Sequence, residues 1–259
     1  MLLEGKVALV TGGAQGLGKA FSEELLKNKA KVCICDLNTR TGEKTVREWT
    51  SKYGDNVVMF LRCDVTNHDQ FEDVFKLTIA QFGGLDIVVN NAGVALENES
   101  WRTTIMVNVI GVIEGTKLAD KYMGKSSGGR GGVVVNVAST AGLTPVFFMP
   151  VYVASKYSVV GFTRSVAMNP DIGRSGLRFV CLCPGFTDTS MLSSGQDSDG
   201  ISGNKLAEEI VTTGVNTVEF VVEGFMQLLL TDDNNGGVMA VTKQRGIRYH
   251  GRQRKVNKL

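Results

Sequence analysis

Tyr152 and Lys156 are spaced for proton transfer. In Tyr152-Val153-Ala154-Ser155-Lys156 they stand at i and i+4, neighbours on one face of a helix. A phenol with a pKa near 10 is a poor base at neutral pH, but a neighbouring ammonium favours the phenolate. Bringing it to about 7 takes about 4 kcal/mol, at 1.36 kcal/mol per pK unit. Tyr-x-x-x-Lys alone is a frequent accident of amphipathic helices, so it needs companions. Ser139 lies 13 residues earlier, just past the apolar run 132–137.

A second chemistry is dinucleotide binding. Thr11-Gly12-Gly13-Ala14-Gln15-Gly16-Leu17-Gly18 follows the first apolar run and opens the first helical stretch. Glycines let the backbone turn tightly and approach a pyrophosphate, and the helix N-terminus adds N–H groups and partial positive charge. Asp36 ends the next apolar run, 18 residues beyond Gly18. A carboxylate there accepts from both ribose hydroxyls and repels a 2′-phosphate; its structural alternative is a turn-capping Asp. Neither Gln15 nor Leu37 offers a cation to such a phosphate, and Arg40 is expected on a helix surface. NAD is therefore expected over NADP, and no metal.

These residues need a scaffold that brings them to one edge. Short apolar runs at 6–10, 31–36, 56–62, 86–90, 132–137, 177–183 and 238–241 read as strands buried on both faces. Helical patterns at 17–29, 40–52, 69–82, 102–123, 152–168 and 206–229 alternate with them. This alternation predicts an α/β fold: one domain, a doubly wound parallel sheet of about seven strands flanked by helices. Asn90-Asn91-Ala92-Gly93 and Pro184-Gly185-Phe186-Thr187-Asp188-Thr189 then fall at strand carboxyl ends. Asn108 falls inside a long helix.

Composition narrows the class. A net charge of +2 gives no sign of nucleic-acid binding. No apolar run reaches the roughly 18 residues of a membrane helix. Five cysteines, four of them in the pairs Cys33/Cys35 and Cys181/Cys183, read as small packed hydrophobes in a reducing compartment. A serine hydrolase needs a Ser/His/acid set. His68 and His250 are the only histidines, and neither is placed near Ser139.

Together these residues resemble the short-chain dehydrogenase/reductase family, from Gly5 to about Val241. The resemblance implies a Rossmann fold and roles for single residues. Tyr152 would be the general acid/base, with Lys156 lowering its pKa and holding the nicotinamide ribose. Ser139 would hydrogen-bond the substrate oxygen, and Asn108 would position a relay water. Gly12, Gln15, Gly16, Leu17 and Gly18 would hold the pyrophosphate, with Asp36 and Leu37 at the adenosine ribose. Cys63, Asp64 and Val65 would flank the adenine; Asn91 and Gly93 would line the ribose. Asp64 as a helix-entry cap and Asn91 as a turn residue are compatible alternatives. Pro184, Gly185, Thr187 and Thr189 would close over the nicotinamide and phosphates. Both Tyr152 and Lys156 are present, which disfavours a non-catalytic NAD-binding scaffold.

Within the family the likeness runs to a prostaglandin-oxidising branch, through GKVALVTGGAQGLG at 5–18, Phe162-Thr163-Arg164-Ser165 and Cys183-Pro184-Gly185-Phe186. That branch carries Gln three residues before its tyrosine, where this chain has Met149. Phe148, Met149 and Phe186 are expected at the substrate, with Phe147 beside them. The expected substrate is a lipophilic secondary alcohol or its ketone, of fatty, terpenoid or steroid kind; ordinary core packing is the alternative for 147–149. The resemblance also implies a homodimer or tetramer, built on helices 102–123 and 152–168.

Two segments stand apart. The polar stretch 188–204 reads as a lid. Residues 243–259, with seven Lys/Arg and no acid, read as a solvated basic tail beyond a domain of 1–242. Asn257-Lys258-Leu259 is one residue from a peroxisomal address, the alternative to an expected cytoplasmic location.

Overall fold

The computed structural model describes residues 2–189 and 211–251. The strands are β1 (Val7–Thr11), β2 (Lys31–Asp36), β3 (Val58–Arg62), β4 (Ile87–Asn90), β5 (Gly132–Val137), β6 (Leu177–Pro184), β7 (Val238–Thr242) and β8 (Gly246–Tyr249). They form one sheet in the order β3-β2-β1-β4-β5-β6-β7-β8. All neighbours pair in parallel except β7 and β8. The strand order reverses between β1 and β4, the place where open α/β sheets bind ligands at their carboxyl edge.

Alternate residues of each central strand serve opposite faces. On one face Ala8, Val10, Val32 and Ile34 pack with Phe21 and Leu25 of α1 (Gly16–Lys27) and Phe225 and Leu228 of the C-terminal helix (Val218–Leu230). Phe21 and Phe225 stack at 4.4 Å. The other face sets Val7, Leu9, Cys33, Cys35 and Cys63 against Phe71 and Phe75 of α3 (His68–Phe82). All five cysteines are buried free thiols, packed as small apolar groups. Helix α2 (Thr39–Tyr53) joins β2 to β3. No helix among the described residues is long and apolar enough to cross a membrane.

The sheet has eight strands where about seven are expected. The extra strand comes from the segment read as a basic tail. Charge hides its alternation: Ile247 and Tyr249 pack on the core while Arg248 is exposed. Gly246, at φ +72°, makes the tight turn back onto β7, and the Thr242 hydroxyl accepts from the Arg245 N–H at 3.1 Å.

The helix expected at 102–123 is interrupted. It runs as α4 (Trp101–Ile105), a π-helical turn (Met106–Ile110) and α5 (Gly111–Met123). After α6 (Pro150–Ala167) and the short α7 (Pro170–Gly173), the helix expected at 206–229 is broken within its described part: residues 211–213 are helical, 214–217 are not, and α8 (Val218–Leu230) begins after them. Three residues make that break: Gly214 at φ +74°, Asn216 bridged to Thr187, and Thr217 capping the Phe220 N–H at 3.2 Å. The rest of the expected lid beyond Thr189, and the last eight residues of the chain, lie outside the described residues.

Candidate active site

The glycine loop is built by exclusion of side chains. A Cβ on Gly13 would stand 2.7 Å from Ile34 Cβ, and Gly12 (φ +62°) already lies against Asn91 and Ala92. Asn91 Nδ2 donates to the carbonyls of Thr11 (2.9 Å) and Gly12 (3.2 Å). Thr11 Oγ1 accepts from the N–H groups of Asn91 and Ala92, both at 3.0 Å. Asn91 therefore ties the β4 loop to the glycine loop. Its amide protons are spent on backbone, as a turn residue's would be.

Helix α1 is prepared for an anion. Helices α2, α3 and α8 have side-chain caps from Asn38, Asn67 and Thr217. Gln15, the residue before α1, makes no capping bond with its side chain. The first-turn N–H groups of Gly16, Leu17 and Gly18 are thus left for another acceptor. Thr189 overhangs the same place, 3.9 Å from where a Gly16 Cβ would be.

Asp36 sits at the end of β2 with both carboxylate oxygens anchored. Oδ2 accepts from the Ala14 N–H at 3.1 Å and Oδ1 from the Asn38 N–H at 3.0 Å. Leu37 beside it is 56% exposed. Cys63 and Val65 are buried in the core, so contact with an adenine would come through their backbone. Asp64 Oδ1 accepts from the N–H (2.9 Å) and hydroxyl (2.7 Å) of Thr66. The helix-entry cap itself is Asn67. These features fit a dinucleotide: bare backbone for a pyrophosphate, a fixed carboxylate for a ribose diol.

The residues expected to transfer the proton meet beyond this loop. Lys156 Nζ lies 5.5 Å from the Tyr152 ring centre and donates to the Val137 carbonyl at 3.1 Å. Ser139 leaves β5 in extended backbone, φ −170°. Its Oγ accepts from the Ala141 N–H at 3.2 Å and donates to the Pro184 carbonyl at 3.3 Å. Gly93 opens the floor: a Cβ there would stand 3.3 Å from Asn108 Oδ1 and 3.5 Å from Lys156 Nζ. Asn108 is fully buried in the π turn, a common placement for a functional residue.

Electrostatics depart from the sequence expectation. Burial pushes the Tyr152 phenol up to about 12, while the Ser139 hydroxyl beside it acts the other way. Burial pushes Lys156 down to about 8, opposed by Cys181 and Cys183. Desolvation disfavours the charged form of each. The protein alone therefore does not prepare a phenolate. Lys156 still carries its proton at neutral pH.

One side of Tyr152 is apolar. Phe148 and Met149 are buried and pack with Val146, Tyr152, Val153 and Phe186. Phe147 is 74% exposed and meets the Phe148 ring edge-on at 5.4 Å. Core packing accounts for the burial of Phe148 and Met149 but not for the position of Phe147. Gly185 bonds to the Val241 carbonyl at 2.8 Å, and Thr187 Oγ1 donates to the Gly185 carbonyl at 2.9 Å.

Sequence reasoning missed Glu97, Thr104, Ser155 and Asn216. Asn216 fastens the strand exit after β6, accepting from the Asp188 N–H (3.1 Å) and donating to the Phe186 carbonyl (2.8 Å). Glu97 and Asn216 lie far in sequence from what they hold, so no local spacing marks them; Thr104 and Ser155 hold near neighbours, Leu96 and Tyr152, at no spacing that marks a site.

Residues 6–200 match the family described as short chain dehydrogenase. The 15-hydroxyprostaglandin dehydrogenase [NAD(+)] of Rattus norvegicus is 40% identical over 254 residues, 96% of this chain and 95% of the relative. The 3beta-hydroxysteroid dehydrogenase 2 of Eggerthella lenta is 34% identical over 199 residues, 73% and 74% of the two chains. Among solved structures, levodione reductase superposes with a TM-score of 0.80 at 27% identity, covering 92% of this chain and 96% of that one.

Proposed function

Because the chain belongs to the short-chain dehydrogenase family, we propose that it oxidises a secondary hydroxyl on a lipophilic substrate to a ketone, with NAD as acceptor. The meeting of Tyr152, Ser139 and Lys156 beside a bare glycine loop carries this reading. Asp36 favours NAD over NADP. Gly12, Gly16, Leu17 and Gly18 would hold the pyrophosphate, Asp36 the ribose diol, and Lys156, Thr187 and Thr189 the nicotinamide half.

NAD, when bound, supplies the hydride acceptor and a positive ring that favours a nearby phenolate. Ser139 and Tyr152 bind the substrate oxygen between them. The carbinol hydrogen would leave with the C–H electron pair for that acceptor, the O–H proton would pass to the Tyr152 phenolate oxygen, and the C–O bond would become C=O. Moving the phenol from about 12 to about 7 takes about 7 kcal/mol at 1.36 kcal/mol per pK unit. Charged Lys156 and the cofactor must supply that together. Asn108 serves from behind, through backbone and Ser155.

The apolar wall of Phe148, Met149 and Phe186, with Phe147 at its rim, favours hydrocarbon beside the reacting carbon. A fatty, terpenoid or steroid alcohol fits it, and the reverse reduction uses the same groups. The test follows NADH formation from a panel of secondary alcohols. Tyr152→Phe should lower turnover by about 100-fold or more while NADH binding stays within about twofold. Turnover within a few-fold of wild type sinks the assignment.

The same reading makes the chain a homodimer through α4, the π turn, α5 and α6; Met106 and Ile110 of the π turn and Tyr157 of α6 are each about 40% exposed. A solution mass of 27.9 kDa would overturn that. We place the enzyme in the cytoplasm, in keeping with five unpaired thiols. Tagged chain concentrated in peroxisomes would overturn it.

A further inference from the structure

Helix α6 carries Tyr152 and Lys156 but has no cap of its own. Its preceding residue, Met149 (φ −142°, ψ 59°), makes no capping bond, and Pro150 occupies the first helical position. The N–H groups of Val151 and Tyr152 have no partner inside the helix. Both go to one carboxylate from elsewhere in the chain. Glu97 Oε2 accepts from the Val151 N–H at 3.0 Å, and Oε1 from the Tyr152 N–H at 2.8 Å.

Glu97 is itself held. Val94, three residues before it, exchanges two bonds with the Asn108 side chain: its N–H donates to Oδ1 at 2.9 Å, and its carbonyl accepts from Nδ2 at 2.8 Å. Leu96 exchanges two with Thr104 Oγ1, at 2.9 and 2.8 Å. The strip from Val94 to Glu97 is thus fastened to α4 and the π turn at two points before its carboxylate reaches α6.

The opposite end of the Tyr152 peptide is held from the same side. Its carbonyl accepts from Ser155 Oγ at 2.7 Å, and that oxygen accepts from Asn108 Nδ2 at 3.0 Å. The Tyr152 N–H is therefore held by Glu97, and its C=O, through Ser155 of the same helix, by Asn108 of the π turn. A carboxylate at this helix start also lies at the positive end of the dipole.

We propose that Glu97 is a positioning residue for Tyr152. It fixes the first turn of α6, and with it the reach of the phenol toward Ser139 and the substrate oxygen. This rests on the reading of Tyr152 as the proton-transfer group. Reaction geometry is sensitive to displacements of about 1 Å. Glu97→Ala removes both acceptors. Glu97→Gln keeps one and turns an NH2 group toward the other N–H.

The experiment measures kcat, KM for alcohol and NADH affinity in wild type, Glu97→Ala and Glu97→Gln. Glu97→Ala should lose about tenfold in kcat while NADH affinity stays within about twofold, with Glu97→Gln in between. Should Glu97→Ala not fold, Glu97→Gln carries the test, with kcat lowered about threefold or more and NADH affinity kept. A kcat within about twofold of wild type in both variants overturns the proposal, as does an equal loss of kcat and NADH affinity, the mark of a general structural role. Tyr152→Phe runs beside them. If it keeps turnover, the reading of Tyr152 has failed. If it loses turnover and the Glu97 variants do not, only the role of Glu97 has failed.

Discussion

Gly18 lies directly against Gly12: a Cβ built on Gly18 would stand 2.2 Å from the Gly12 carbonyl oxygen and 2.5 Å from Asn91 Nδ2. The first turn of α1 can reach the glycine loop only because Gly18 has no side chain. The same closeness lets Asn91 bond to the Thr11 and Gly12 carbonyls. Gly18→Ala must push backbone apart at the place proposed for the pyrophosphate. Overpacking of this kind costs about 1–3 kcal/mol. The variant should melt lower and bind NADH about tenfold or more weakly. Unchanged melting and unchanged NADH affinity would show that the loop yields freely.

Asp36 gives a separable prediction. Its oxygens accept from the Ala14 and Asn38 N–H groups, so it shapes the loop and also presents charge. Asp36→Asn keeps an acceptor and most of the shape but removes the charge. The preference for NAD over NADP, measured as a ratio of kcat/KM values, should fall about tenfold or more, because a 2′-phosphate is no longer repelled. Thermal stability should drop less than in Asp36→Ala, which leaves both N–H groups without their acceptor. A wild type that already prefers NADP would refute the assignment of Asp36.

Burial of Lys156 predicts how stability changes with pH. The folded chain releases this proton near pH 8; the ordinary lysine value is 10.5. Between those values the unfolded chain holds more protons, so stability of the cofactor-free protein rises with pH. Tyr152 has the opposite sign. Its proton is held up to about 12 against an ordinary 10.0, so the folded chain holds more protons there and stability falls. The sum is a rise from about pH 8 followed by a fall above about pH 10. Lys156→Met should abolish the rise, worth about 3 kcal/mol across the window. Urea unfolding of both proteins across that range checks it. A difference between them that stays flat with pH would contradict the burial of a charged lysine.

What the sequence made legible was local. Tyr152 and Lys156 are four apart, Gly12 to Gly18 is one turn, and Asp36 ends a strand, so each could be placed by counting. The doubly wound sheet followed from runs apolar on both faces, such as Val32-Cys33-Ile34-Cys35. Glu97 was not legible, because its partners Val151 and Tyr152 lie 54 and 55 residues away and a glutamate in a polar loop looks solvated. The π turn around Asn108 has no proline to mark it. Strand β8 was hidden by Arg248 within it and Arg245 before it, although Ile247 and Tyr249 alternate as an edge strand should. The rise of the Tyr152 phenol was hidden for another reason: spacing shows that Lys156 is near but says nothing of how much water both have lost.

Met149 decides between a wall and a reader of substrate. It is buried with Phe148, Tyr152, Val153 and Phe186, directly before the helix that carries the phenol. A thioether offers only a weak acceptor, so a polar group of the substrate turned toward it loses its hydrogen bonds to water. Leaving such a group unpaired costs about 1–3 kcal/mol. Hydrocarbon in the same place gains about 25 cal/mol per Å² removed from water. The wild type should therefore favour alcohols with apolar flanks. Met149→Gln conserves approximate volume and adds an amide that can hydrogen-bond a hydroxyl. The amide faces Phe148 and Phe186 when no substrate is bound, so the variant should also lose about 1–2 kcal/mol of stability. The readout is the kcat/KM for a prostaglandin divided by that for an apolar secondary alcohol such as a steroid. A shift of about tenfold toward the prostaglandin corresponds to about 1.4 kcal/mol, within reach of one gained hydrogen bond. A wild type that strongly prefers the prostaglandin, or a ratio that Met149→Gln leaves in place, would mean that Met149 only packs against Phe148 and does not face the substrate.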